Sequence, residues 1–112
     1  IKWDFDSLSQ CLLNLVQNAK RHSPTDAEIS LRIEVDADNV YLTVEDSGLG
    51  VSPENQERLF RPFFTTDPKG NGLGLAFSKK MVCAQGGDIT YARKGGKSCF
   101  QIKAPIMLPL EL

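Results

Sequence analysis

Of two neighbouring stretches, EISLRIEVD at 28–36 alternates apolar and polar residues strictly, and NVYLTVED at 39–46 repeats the device with apolar residues at every second position from 40 to 44. A period of two places Ile29, Leu31, Ile33 and Val35 on one side of a strand, and Val40, Leu42 and Val44 on one side of the next. The short ADN between them predicts an antiparallel hairpin. A hairpin with one apolar face needs a second layer to cover it, and the flanking sequence supplies helices. Residues 6–22 carry Leu8, Cys11, Leu12, Leu15 and Ala19 at helical spacing, with Asp4, Asp6 and Ser7 as N-cap candidates and Pro24 just past the end. SPENQERLF predicts a short helix with Ser52 at the N-cap, Pro53 at its first position and Glu54 in its first turn. After the irregular RPFFTTDPKGNG, LGLAFSKKMVCAQ returns to helical period and stops at Gly86-Gly87. DITYARK and SCFQIKAPI read as a closing hairpin around Gly95-Gly96. This order predicts an α/β two-layer sandwich with a mostly antiparallel sheet.

The chain has 112 residues, enough for one modest core. It carries 13 basic and 14 acidic side chains, a balance that gives no electrostatic footprint for nucleic acid or an anionic membrane. No apolar run approaches the roughly 18 residues needed to span a bilayer. Cys11, Cys83 and Cys99 form no CxxC pair, and a single histidine does not complete a zinc set with them. All three are expected as small buried hydrophobes in a reducing compartment. The opening IKWDFDSLSQ runs straight into a helix, as a domain excised from a longer chain would.

Four segments carry chemistry. NLVQNAKRH places two asparagines mid-helix, although the Asn amide competes with the helix backbone for hydrogen bonds. At about 100° per residue, Asn14, Asn18 and Arg21 fall within roughly 60° of one another, beside the core stripe, where the core meets a cleft. DSGLG ends a strand in a carboxylate followed by Gly48 and Gly50. An ionised Asp46 only accepts hydrogen bonds, so it suits an exocyclic amine, and the glycines allow a ring to approach closely. An ordinary strand-to-loop turn has the same composition. GNGLGL sets Gly70, Gly72 and Gly74 before a helix, where free N–H groups attract phosphate. Its spacing is neither a dinucleotide fingerprint nor a P-loop. RLFRPFF brings Phe60, Phe63 and Phe64 to the start of a loop, read as the anchor of a mobile lid over 65–72. His22 has no partner in the sequence for metal binding or catalysis.

In this order the four segments resemble the N, G1, F and G2 boxes of the catalytic and ATP-binding domain of sensor histidine kinases, and the tail GGDITYARKGGKSCFQIKAPIMLP is similar to that family's last hairpin. The resemblance covers nearly all of residues 1–112. It implies the Bergerat fold: a mixed, mostly antiparallel sheet of about five strands with about three helices on one face. It also implies ATP and Mg²⁺ as cofactors, with catalysis resting on Asn14, Asn18 and Arg21. Asn18 would hold the metal through its amide oxygen, Asn14 would assist beside the phosphates, and Arg21 would reach phosphate. His22 would lie against adenine, Asp46 would accept from its amino group, and Gly48 and Gly50 would shape the pocket. Phe60, Gly70, Gly72, Leu73, Gly74, Leu75 and Ser98 complete the implied nucleotide site. Lys97-Ser98 stands where the family commonly has Gly-Thr, which bears on fine adenine contacts.

The implied activity is transfer of the γ-phosphate to a histidine on a separate dimerisation and acceptor domain, with a response regulator downstream. A homodimeric parent, a cytoplasmic location, and no nucleic-acid or direct membrane contact by this domain are also expected; the parent could itself be membrane-anchored. Gyrase-, mismatch-repair- and chaperone-type ATPases share the fold but place a glutamate one turn before the metal-binding asparagine. Here that position is Asn14, which favours transfer over hydrolysis. An ATPase or serine kinase of this fold, or a degenerate nucleotide-binding interaction module, are the alternatives.

Overall fold

A computed structural model describes residues 5–24, 26–48, 50–64 and 73–106. The elements run α1 (Phe5–His22), β1 (Ser30–Val35), β2 (Asn39–Asp46), α2 (Pro53–Gln56), α3 (Gly74–Ala84), β3 (Asp88–Lys94) and β4 (Lys97–Pro105). Among the described residues the sheet has four strands in the order β1-β2-β4-β3, every neighbour antiparallel. That is one strand fewer than the resemblance implies, and without a parallel pair. Helices α1 and α3 pack against each other and onto β2 and β3.

The alternation in the strands becomes two apolar rows across the sheet. Cross-strand register aligns Ile33, Leu42, Ile102 and Ile89 in one row, and Leu31, Val44, Phe100 and Tyr91 in the next. Burial is graded along both. Val44, Ile102 and Ile89 are fully buried with Cys11, Leu15, Ala19 and Val82, whereas Ile33 is 62% exposed. All of β1 is exposed, because it is the edge strand and α1 lies over β2. Alternation in β1 therefore reports strand geometry without reporting burial.

The stop and turn signals act where the sequence places them. Gly86, with φ +88, follows the α3 C-cap; its N–H donates to the Cys83 carbonyl and that of Gly87 to Val82, the paired bonds of a Schellman motif. Gly95 (φ +57) and Gly96 (φ +77) form the two-residue turn between Lys94 and Lys97, both left-handed as such a hairpin requires. Ser52 is the N-cap residue of α2 through its carbonyl, which accepts from Asn55 and Gln56, and its side chain makes no cap. Asp36 accepts from the backbone N–H groups of Asp38 and Asn39 and from the Tyr41 hydroxyl, closing the β1–β2 turn and holding its own carboxyl below the usual range.

Cys11 and Cys99 are buried, as expected of small hydrophobes, and burial pushes both thiols up. Cys83 departs from that expectation. It is exposed on the last turn of α3, with its sulfur 3.5 Å from an Asp88 carboxylate oxygen.

Candidate functional site

The sheet ends, on its helix-covered side, in a polar row. Register places Asp46 opposite Ser98 and Ser98 opposite Arg93, two residues beyond the Val44–Phe100–Tyr91 row and so on the same face. Asp46 and Ser98 are each 3% exposed. Asp46 Oδ1 accepts from the Gly48 N–H at 2.8 Å, and its Oδ2 has no hydrogen-bond partner among the described residues. A nearly buried carboxylate with one oxygen fixed and the other uncommitted is a directed acceptor for an N–H group.

The loop after Asp46 is shaped by protein contacts. A Cβ on Gly48 would sit 2.3 Å from the His22 carbonyl oxygen, so a bare backbone lets the end of α1 close onto the loop. A Cβ on Gly50 would meet the Arg93 guanidinium at 2.3 Å. Both glycines permit close approach, as the sequence predicts, but the approaching groups are α1 and Arg93. Further along, the Val51 N–H donates to the Tyr91 hydroxyl at 3.0 Å, and Gln56 Nε2 donates to the Val51 carbonyl.

Helix α1 joins this end to a second one. Asn14 Nδ2 donates to the Gly74 carbonyl and the Ser78 hydroxyl oxygen, each at 3.2 Å, while Gln10 Nε2 donates to Asn14 Oδ1 at 3.0 Å. Asn14 thus fastens α1 to the first turn of α3. The N-cap of α3, Leu73, makes no side-chain cap hydrogen bond, and its carbonyl accepts from the Phe77 N–H. Asn14 and His22 are about 12 Å apart along the helix axis. Asn18 lies midway, half-buried, with no side-chain hydrogen bond among the described residues. Arg21 is exposed and lines, with Gln17 and Lys20, an open concavity of about 420 Å³.

The remaining predicted residues are placed as follows. His22 is exposed at the end of α1. Phe60 is half-buried against the core, edge-on to Phe100 with ring centroids 6.3 Å apart, and the Lys79 ammonium lies 5.0 Å from its centroid. Phe64 also packs on the core, while Phe63 is 75% exposed with φ +66. Leu73 is exposed and Leu75 packs on the core. The Ser98 hydroxyl is engaged by Tyr91 and Arg93 within the protein. Gly70, Gly72 and the lid at 65–72 lie outside the described residues. Sequence reasoning missed Ser78, Tyr91 and Arg93. Only Tyr91 carried a signal, as an amphipathic residue in the same row as Phe100.

A buried carboxylate at a sheet end, an asparagine-bearing helix whose end closes on the loop beside it, and a second helix fastened to the first at Asn14 make an α/β domain of the two-layer class. The chain belongs to the histidine kinase-, DNA gyrase B- and HSP90-like ATPase family, whose model matches residues 3–108. It is 37% identical to the two-component sensor PprA of Pseudomonas aeruginosa, over 99% of this chain and 13% of that protein. It is 46% identical to the sensor histidine kinase CpxA of Escherichia coli K12, over 69% of this chain and 18% of CpxA. The chain thus spans a small part of the curated relatives it matches. Among solved structures, the catalytic domain of histidine kinase ThkA superposes with a TM-score of 0.86 at 32% identity, covering 94% of this chain and 70% of that one. Full-length ShkA, solved in complex with AMPPNP, superposes at 0.77 with 32% identity, covering 93% of this chain and 23% of ShkA.

Proposed function

We propose that residues 1–112 are the ATP-binding catalytic domain of a two-component sensor kinase that phosphorylates a histidine on a separate acceptor domain. The observation that carries this is Asp46, nearly buried at the sheet end with one carboxylate oxygen uncommitted among the described residues, on a loop that the end of the asparagine-bearing helix α1 closes onto. Asp46 accepts the amino group of adenine, His22 lies against the base, and the first N–H groups of α3 receive phosphate oxygens. Gly70 and Gly72 add backbone contacts. Asn18 offers a hard amide oxygen with no competing hydrogen bond among the described residues. No group of three or more acidic, histidine or cysteine side chains able to cage a metal occurs among the described residues. That donor set fits Mg²⁺ carried in on the phosphates, which takes one or two protein oxygens and keeps its waters. When bound, Mg²⁺ neutralises charge on the β- and γ-phosphates.

Asn14 stabilises the α1–α3 junction and lacks the basicity to activate water. Arg21 supplies positive charge at the phosphate end. In the reaction a nitrogen of the acceptor imidazole bonds to the γ-phosphorus as the bond to the ADP oxygen breaks, and ADP departs. Exposed Phe63, with Phe60 and Phe64 beside it, meets the acceptor helices. A homodimeric parent, a response regulator that takes the phosphoryl group, and a cytoplasmic setting complete the proposal.

The test mixes this chain with the acceptor domain of its parent and radiolabelled Mg·ATP. The chain alone is expected to bind ATP with micromolar or weaker Kd, about 5.5 to 8 kcal/mol, and neither to label itself nor to hydrolyse ATP appreciably. The mixture is expected to yield acid-labile label on the acceptor. Rapid hydrolysis by the chain alone points instead to an ATPase, acid-stable label to a serine kinase, and no saturable nucleotide binding up to millimolar concentration rejects the proposal.

A further inference from the structure

Gly48 is held at both of its backbone polar groups. Asp46 takes its N–H, and Arg93, on the far side of the polar row, takes its carbonyl: Nη1 donates to Gly48 O at 3.0 Å and to Ser98 Oγ at 3.2 Å, while Nη2 donates to Gly96 O at 3.2 Å. One guanidinium therefore joins the loop after β2, strand β4 and the β3–β4 turn. It lies directly across Gly50, whose φ of +81 and missing side chain leave room for it; a Cβ there would also come within 3.0 Å of Arg93 Cδ and Cζ. Tyr91 supports the same arrangement from beneath, accepting from Val51 N–H and sharing a hydrogen bond with Ser98.

We propose that Arg93 is a positioning residue that sets base selectivity, clamping the loop so that the free oxygen of Asp46 keeps one direction. This rests on the nucleotide reading above. A carboxylate distinguishes a base presenting an exocyclic amine from one presenting a carbonyl only if it is fixed, since a mobile acceptor swings to water or to another donor. Arginine suits the role because its planar fork carries five donors and satisfies three acceptors on three segments at once; a lysine ammonium has no such fork. Without Arg93, the Gly48 carbonyl turns to water and only Asp46 itself holds the loop at Gly48. Ser98 then acts on the base indirectly, as an acceptor that seats Arg93.

The test measures amide hydrogen exchange at 48–51 without nucleotide, and Kd for ADP and GDP, in the unaltered chain and in Arg93→Ala, Arg93→Lys, Gly50→Ala and the Arg93→Ala/Gly50→Ala double variant. Thermal unfolding checks that each is folded. Arg93→Ala is expected to speed exchange at Gly48 and Val51, raise the ADP Kd roughly tenfold and cut the ADP-over-GDP preference by a similar factor. Arg93→Lys is expected to recover only part of that preference. Gly50→Ala, which expels the guanidinium, is expected to reproduce the loss, and to remove little further selectivity once Arg93 is gone. If Arg93→Ala does not fold, Arg93→Lys and Gly50→Ala carry the same comparison. ADP binding by the unaltered chain with an unchanged ADP:GDP ratio in the variants overturns the role of Arg93 alone. Failure of the unaltered chain to bind ADP overturns the nucleotide reading and this role with it.

Discussion

Asp46 and Asn18 are separated by chemistry as much as by position, and substitution should divide their effects. Asp46→Asn replaces a purely accepting group by one that also donates, so it should weaken ATP and ADP about equally, by roughly 1.5 to 3 kcal/mol for a hydrogen bond to a charged group. Asn18→Asp places negative charge beside the phosphates, so it should impair Mg·ATP turnover more than adenosine affinity. Titration with adenosine, ADP and Mg·ATP, alongside the transfer assay, separates the two; equal effects on adenosine binding and on transfer count against this division. Asn14 shows what a residue-level reading misses. It was legible as a polar residue at a cleft edge, yet its amide is committed to Gly74 and Ser78, 60 and 64 residues away in sequence. The glycines of DSGLG were legible as sites of close approach. What approaches them was not, because His22 and Arg93 reach the loop only through the packing of α1 and the pairing of β3 with β4.

At the scale of elements, local chemistry decides most boundaries. The turn Gly95-Gly96 has nothing within 4 Å of a Cβ at either position, and only the Gly96 carbonyl is engaged by Arg93, so an alanine at Gly95 tests backbone conformation alone. Gly95→Ala, at the turn position that Arg93 does not touch, should cost about 1 to 2 kcal/mol, the penalty of a left-handed residue with a side chain, and should lower the denaturation midpoint without altering nucleotide affinity. Gly48→Ala should behave oppositely. Its Cβ collides with the end of α1, so it should disturb the site as well as the fold. A chemical denaturation series with a nucleotide titration on both variants checks the contrast. The Gly86-Gly87 stop of α3 and the two-residue hairpin turn were both readable from sequence because each is a demand on φ that glycine meets locally.

The whole molecule is held by the rows of apolar residues beneath α1 and α3 and, at one side, by a pair joining α3 to β3. Lys79 donates to Asp88 and to the Ile89 carbonyl, and also lies over the Phe60 ring. The Lys79 hydrogen bond, foremost among its contacts, lowers the Asp88 carboxyl from its ordinary value of 3.8. A depressed carboxyl contributes stability above its unfolded value and loses it as pH falls through the lower folded one. With side chains 34% and 50% exposed, the contribution is below about 1 kcal/mol. Asp88→Asn should therefore lower Tm slightly at pH 7, and the difference from the unaltered chain should shrink as pH drops below 3.8. Scanning calorimetry at several pH values checks this; a difference that persists at acid pH rules out the ion pair as its source.

What the sequence by itself determined is everything periodic or conformational: α1 with its stripe of Cys11, Leu15 and Ala19, the two hairpins, the stop at Gly86, and the order of helices and strands. These follow from spacing and from backbone preferences that act over a few residues. Tertiary structure alone decided that β1 is an exposed edge despite its alternation, that Cys83 is exposed, and that Asn14 joins two helices. It also put Asp46, Ser98 and Arg93 in one row. A strand carries no mark of which neighbour will cover it, and a charged residue near a turn carries no mark of the carbonyl it will meet. Those outcomes depend on register and layer packing between segments far apart in the chain, where one strand's position sets every contact beyond it.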